Sequence, residues 1–507
     1  MAASSCPSCH GCLLLFLLLL AVVAGSGAGA ADHGAGSSSL VQLNVDSLFP
    51  VATSCPSTPQ EQNHGAAAKG TRMPIVHQHG PCSPLAGAHG KAPTHADILT
   101  ADQRRVESIR RRVFETTGRG RARPKRAAPS VQLQPGAPST PSSASASVSS
   151  AAWSTDLPAS SGSALGTGNY VVTIGLGTPA KRNTVVFDTG SDTTWVQCQP
   201  CVASCYRQKG PIFDPTKSST YANISCDSSY CSELYTSGCS GGHCLYGVQY
   251  GDGSYTIGFY AHDTLTLASD TVKGFRFGCG EKNKGLFGKT AGLMGLGRGK
   301  TSLTVQAYDK YSGVFAYCLP ATSSGTGFLD FGPGAPAANA RLTPMLVDDG
   351  PTFYYVALTG LKVGGHLLPI PETVFSAAGA LVDSGTVITR LPPAAYASLS
   401  SAFASVMERL GYKKAPAFSI LDTCYDLSGT QGSVALPAVA LVFRGGACLD
   451  VDASGILYVV DESQACLAFA PNEEDTDVAI VGNTQQKTYS LLYDLGRKVV
   501  GFAPGAC

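Results

Sequence analysis

Two short stretches of this sequence each place a carboxylate behind an apolar run and inside a hydroxyl-Gly-hydroxyl turn. They are Thr184-Val185-Val186-Phe187-Asp188-Thr189-Gly190-Ser191 and Gly379-Ala380-Leu381-Val382-Asp383-Ser384-Gly385-Thr386. An apolar strand ending in such a turn presents an ionisable group at the edge of a buried sheet, where glycine allows close backbone approach and the hydroxyls can bond the carboxylate. The 195-residue spacing of the two aspartates predicts two homologous halves that face each other. Two carboxylates a few ångströms apart cannot both ionise, so one holds a proton while the other is an anion. The anion can take a proton from a water lodged between them, and the protonated partner can polarise a carbonyl and return a proton. That chemistry hydrolyses a peptide bond without a covalent intermediate. One Asp-Thr-Gly alone would read as an ordinary strand turn. Two copies, each behind an apolar run, leave that reading little room.

The elements that must position these turns are also duplicated. Gly168-Asn169-Tyr170-Val171-Val172-Thr173-Ile174-Gly175-Leu176-Gly177-Thr178-Pro179 reads as an alternating strand closed by a turn. Ala291 to Gly297 and Ala479 to Asn483 are apolar-apolar-Gly segments, one per half, at similar distances after each aspartate. Val248 to Ser254 reads as a hairpin with a tight turn at Gly251-Asp252-Gly253, carrying Tyr250 at its tip. Pro393 to Leu410 has helical spacing and predicts a surface helix.

At these residues the sequence resembles the pepsin-like aspartic proteases, and most closely their plant nepenthesin-like branch, over roughly residues 165 to 507. The resemblance implies an all-β, bilobal fold of two β-barrel-like lobes with the active-site cleft between them. It implies Asp188 and Asp383 as the catalytic pair, and Thr189, Gly190, Ser191, Ser384, Gly385 and Thr386 as support. Thr189 and Ser384 would cross-brace the turns, and Ser191 and Thr386 would bond the outer carboxylate oxygens. Trp195 would pack beneath a flap formed by 247–260, in which Tyr250, Gly251, Asp252 and Gly253 meet substrate. An acidic optimum, polypeptide substrates with apolar residues flanking the cut, and no metal or cofactor follow from the same likeness.

With 507 residues, 44% hydrophobic content, 58 glycines and only 14% charge, the chain is long enough for sizeable cores and leans towards β structure. Residues 31–159 carry 13 Lys and Arg against 8 Asp and Glu, while 160–507 carry 23 against 27. A basic front part therefore faces an acidic body. Leu13 to Ala24 is an apolar run too short to span a bilayer, followed by small residues, which predicts a signal peptide over 1–30 and a secreted protein, extracellular, with vacuole or plastid as other destinations.

Residues 31–160 are expected to be a prosegment and linker, 161–345 the first lobe and 346–507 the second. Met73-Pro74-Ile75-Val76-His77-Gln78-His79-Gly80-Pro81-Cys82-Ser83-Pro84 resembles the prosegment motif of the plant enzymes. Ile98 to Phe114, with Ile98, Val106, Ile109 and Val113 among charges, predicts an amphipathic helix. Ten basic residues lie between Arg104 and Arg126. They could form a solvated face, or a cap that pairs with acidic groups of the cleft and lets go when these protonate. Nucleic-acid binding ranks lower, since Phe114 alone is interleaved for stacking. Arg123-Pro124-Lys125-Arg126 would suit a basic-site processing enzyme, and the Ala/Ser/Pro-rich tract 127–166 reads as a cleavable linker.

Thirteen of the 18 cysteines follow residue 190, a disulfide framework in an oxidising compartment that leaves one thiol over. A zinc site at Cys198, Cys201 and Cys205 is the rival reading, but no His follows at ligand spacing. The insertion 198–244 resembles the cysteine-rich insertion of the nepenthesin branch. By that likeness Cys198 would pair with Cys201, Cys205 with Cys279, Cys226 with Cys244, Cys231 with Cys239, Cys318 with Cys507 and Cys424 with Cys466, leaving Cys448 free. Asn223-Ile224-Ser225 is a glycosylation sequon within the insertion. A monomer is expected, inhibited by its own prosegment. The alternatives to a protease are a silent binding protein of the same fold, such as a glycosidase inhibitor, and a plastid protease whose basic prosegment binds DNA.

Overall fold

The computed structural model describes residues 39–44, 55, 71–86, 94–118, 170–250, 253–285, 287–335, 339–347, 350–376, 379–430, 432–461 and 463–507. The expected signal peptide, the Arg123 to Arg126 site, the linker, and flap residues Gly251 and Asp252 lie outside them.

Three elements precede the first lobe: strand β1 (Leu40–Asn44), strand β2 (Thr71–His77) and helix α1 (His95–Thr117). The helix starts three residues before the expected Ile98. Thr94 accepts from the Asp97 backbone N–H, and the Asp97 side chain accepts from that of Thr94, a reciprocal cap that fixes the first turn. Gly118, at φ 67°, ends the helix in a left-handed conformation. Leu99, Val106, Ile109 and Val113 are buried as periodicity demands, but so are Asp102 and Arg110. The helix therefore rests on a polar wall as well as an apolar one.

In the first half, β3 (Tyr170–Leu176) and β4 (Lys181–Asp188) pair antiparallel, followed by β5 (Trp195–Gln197). The hairpin expected to be the flap is β6 (His243–Gln249) and β7 (Tyr255–Leu267), and β7 continues against β8 (Asp270–Lys284). The next strand, β9 (Gly292–Gly295), runs parallel to β4, with Gly295 opposite Asp188. Both are buried here, which is why their sequences are unbroken apolar runs rather than alternating ones.

The halves are joined by β10 (Val314–Cys318), β11 (Thr326–Phe331) and β12 (Arg341–Leu346). In the second half, β13 (Ala380–Val382) delivers Asp383 and β14 (Thr389–Leu391) leaves the turn. Helix α2 (Pro393–Arg409), expected at 393–410, buries Ala395, Leu399, Phe403 and Met407 at helical spacing. Strand β15 (Ser433–Pro437), β16 (Phe469–Pro471), β17 (Ala479–Val481), β18 (Ser490–Asp494) and β19 (Val499–Ala503) complete the strands used below. β17 runs parallel to β13, as β9 does to β4, so each aspartate ends a strand braced by a second, apolar one.

One antiparallel sheet, in the order β2-β11-β10-β18-β19-β12, ties everything together. Its strand β2 comes from the front part and also pairs with β3, and β10 and β18 come from opposite halves. Phe315 and Tyr493 stack across that seam at 4.7 Å. β1 pairs with β15 on the second half. No helix among the described residues is long and apolar enough to cross a membrane.

Disulfide pairing departs from expectation in the insertion. Cys198 joins Cys279, Cys201 joins Cys205, Cys226 joins Cys239 and Cys231 joins Cys244, and a further bridge links Cys55 and Cys82. Strand register is the reason. β5 lies parallel to β8, so Cys198 at its end falls beside Cys279. Cys239 stands directly opposite Cys244 across a hairpin, and each reaches outward to a cysteine of the preceding segment. Cys318–Cys507 and Cys424–Cys466 are present, and Cys448 is the free cysteine among the described residues. With Cys198, Cys201 and Cys205 all bridged, the zinc reading falls.

Candidate active site

The two turns meet at the seam, with Asp188 and Asp383 both buried. The Thr189 backbone N–H donates to Ser384 Oγ at 3.1 Å, and the Ser384 N–H donates to Thr189 Oγ1 at 2.9 Å. This reciprocal brace holds the two carboxylates in fixed relation. Within each turn the same pattern repeats. Ser191 Oγ donates to Asp188 Oδ2 at 2.6 Å and Thr386 Oγ1 to Asp383 Oδ2 at 2.5 Å. The N–H of Gly190 donates to Asp188 Oδ1 and that of Gly385 to Asp383 Oδ1. A Cβ on Gly190 would stand 2.6 Å from Asp383 Oδ1, and one on Gly385 would stand 2.6 Å from Asp188 Oδ1. Only glycine allows the turns to approach this closely.

The hairpin expected to form the flap packs on Trp195. Tyr250 OH accepts from Trp195 Nε1 at 2.7 Å, and both rings pack edge-on against Phe287. Gly253, at φ 84°, closes the turn through a backbone bond to Tyr250. Asn223, the sequon residue, is half-buried, and its Oδ1 accepts from Tyr221 OH.

A side chain not singled out in the sequence occupies the centre. Arg105 of α1 donates from Nη2 to Asp188 Oδ1 at 2.6 Å and to Asp383 Oδ1 at 2.9 Å, and from Nε to Asp383 Oδ2 at 3.0 Å. One guanidinium thus bridges both carboxylates. Arg112 donates to Gly190 O at 3.1 Å and lies over the Phe353 ring. Arg110 donates to Asn472 Oδ1 at 2.7 Å and lies 3.4 Å from Asp477. Asp102 meets Arg390 at 3.0 Å. Helical spacing could have grouped Asp102 with Arg105, but which arginine meets the aspartates depends on how the helix is rotated in the cleft.

Burial pushes both aspartates upward, and Arg105 pulls both down. For Asp188, Arg105 and the Ser191 bond outweigh burial and leave its pKa below the ordinary value. For Asp383, burial together with the charge of Asp188 wins, and its pKa is raised. The pair is therefore unequal, with Asp383 the one that takes the first proton.

The chain is similar to known proteins. Family models described as xylanase inhibitor N-terminal and xylanase inhibitor C-terminal match residues 170–333 and 353–504. An aspartyl protease family protein of Arabidopsis thaliana is 45% identical over 473 residues, 92% of each chain. Aspartic proteinase nepenthesin-2 of Nepenthes gracilis is 36% identical over 352 residues, 68% of this chain and 78% of that one. Among solved structures, basic 7S globulin from soybean aligns with a TM-score of 0.54 at 20% identity, over 67% of this chain and 94% of that one, which speaks for the fold alone. Identity of 45% to an aspartyl protease family protein over 92% of both chains places this chain in the plant pepsin-like aspartic protease family, as an aspartic-type peptide hydrolase.

Proposed function

We propose that this chain is the latent precursor of an acid-acting endopeptidase, held closed by α1. The observation that carries the reading is Arg105 bridging Asp188 and Asp383. A cation there excludes the catalytic water and neutralises the base. Since Arg105 lowers both carboxyl groups, the open dyad binds more protons than the closed one, and docking of α1 weakens as pH falls.

Once α1 is gone, ionised Asp188 takes a proton from water as the water oxygen bonds to the scissile carbonyl carbon. Asp383 gives its proton to the carbonyl oxygen. The resulting diol collapses as Asp188 gives its proton to the amide nitrogen and Asp383 takes one from a diol hydroxyl, the C–N bond breaks, and the dyad is left with one shared proton. Tyr250 on the flap shields the site from bulk water.

Seven disulfides among the described residues suit an oxidising compartment, consistent with secretion as a monomer, and Asn223 is the proposed glycosylation point. The domain limits proposed are 31–160 for the removable front part and 161–345 and 346–507 for the lobes. Helix arginines 105, 110 and 112 engage the body, which supports an inhibitory role for the basic front part over a nucleic-acid one.

The test is digestion of an unfolded protein by acid-treated precursor beside Asp188→Asn. Loss of a general base lowers the rate by about 10²–10⁴-fold or more. Equal digestion by the variant, or none by a folded chain freed of its front part, overturns the reading.

A further inference from the structure

Asp102 is buried on the dyad side of α1 and takes three hydrogen bonds from the second half of the body. The N–H groups of Val387 and Ile388 donate at 2.6 and 3.2 Å, and Arg390 Nη2 at 3.0 Å. These donors belong to the segment that leaves the catalytic turn, since Val387 follows Thr386 directly. Arg390 has no exposed surface, and its Nη1 is anchored on Ile388 O at 2.8 Å. Its Nε has no partner, and apart from Asp102 its other contact is Gln103 Oε1 at 3.4 Å, also from α1. Burial works against its charge, and Asp102 is the acidic group that supports it. When the helix departs, a buried guanidinium and two consecutive amides therefore lose their acceptor together, which is a costly arrangement unless another carboxylate replaces it.

We infer that Arg390 with the Val387 and Ile388 amides is a substrate subsite for an acidic side chain, and that Asp102 holds its place in the precursor. The inference rests on the protease reading and adds a preference that reading does not contain. Asp102 precedes Arg105 by one helical turn, a rise of about 4.5 Å. An extended peptide covers that distance in one or two residues. The preferred glutamate or aspartate therefore falls within about three residues of the cleaved bond.

The experiment uses activated enzyme and peptides blocked at both ends, in which each position near the cut is Glu, Gln, Leu or Lys. The pH is set above the ordinary range of a glutamate carboxyl. At one position Glu exceeds Gln in kcat/KM by about tenfold, the scale of a charge-assisted hydrogen bond. Arg390→Gln brings that Glu-to-Gln ratio to about one. Should this buried variant fail to fold, the wild-type profile decides alone. The same peptides with a free terminal carboxylate separate the two sources of the group. Enhancement only with the free terminus overturns the side-chain assignment. Cleavage of all peptides with no Glu preference overturns the subsite and leaves the protease standing, whereas cleavage of none, nor of unfolded protein, overturns both.

Discussion

Strand β2 and helix α1 belong to the same front part, yet they are attached in opposite ways. β2 adds to the joining sheet through an antiparallel ladder, from Thr71 opposite Phe331 to Val76 opposite Thr326, and buries Met73 and Ile75 in the main core. Its one ion pair, Arg72 with Asp330, is half exposed on the arginine side. α1 has no ladder to share. Besides the apolar packing of Leu99, Val106, Ile109 and Val113, it is held by Arg105, Arg110 and Asp102, each set against an opposite charge of the body. Backbone bonds and apolar burial do not depend on protonation, whereas buried ion pairs do. The strand is thus built as part of the fold and the helix as something that can be dislodged.

The sharpest way to break this contrast is Arg105→Ala. Removing one partner of a buried ion pair costs about 3–5 kcal/mol, which raises the open population by roughly 10²- to several 10³-fold. The uncleaved precursor is then expected to digest unfolded substrate without acid, as initial rates would record. A variant that stays latent would show that the ion pair is not the latch. Ile75→Ala should do the reverse, lowering precursor stability by about 2–5 kcal/mol in a denaturant titration while leaving latency intact. Leakage of activity from Ile75→Ala without loss of stability would erase the distinction.

One residue of the strand does answer to pH. His77 is partly buried against Tyr170, its Nδ1 accepts from the His79 N–H, and its pKa is pushed down to about 3 by burial, then by His79 and Lys487. A base with a lowered folded pKa leaves the undocked state binding more protons. Docking of β2 therefore weakens as pH falls from about 6.5 towards 3, by at most about 1.4 kcal/mol per unit. Asp188 acts in a lower window, because its lowered pKa keeps its contribution until pH drops below the ordinary carboxylate value. His77→Gln should flatten precursor stability between those limits without moving the pH at which activity appears. The smallest effect belongs to Thr94→Ala, which removes the α1 cap and weakens the helix by about 1 kcal/mol, seen as a slight rise in activity of the precursor.

Asp188, Asp383 and their hydroxyl and glycine neighbours were legible because their chemistry is local. A carboxylate, its bonding hydroxyl and the glycine that permits close approach lie within four consecutive residues. The α1 and α2 helices were legible from periodicity, to within a few residues at their ends. Arg105 was visible only as one of ten basic residues, since selecting it requires the rotation of α1 and the depth at which it docks. Arg390 was not suspected at all. A buried arginine on a short strand carries no sign of its partner, and Asp102 lies 288 residues away.

The insertion cysteines teach the same lesson, because their count and spacing predict a stapled loop, while the partner of each depends on the register of the strand that carries it. By itself the sequence determined that two carboxylates would end two apolar strands, that their turns would meet as a pair, and that a basic front part would accompany an acidic body. Only the tertiary structure decided which arginine closes the site, which cysteines meet, and that β2 becomes a strand of the body's own sheet. Short-range chemistry is written in neighbouring residues, whereas pairing across hundreds of residues is selected by packing that no local pattern records.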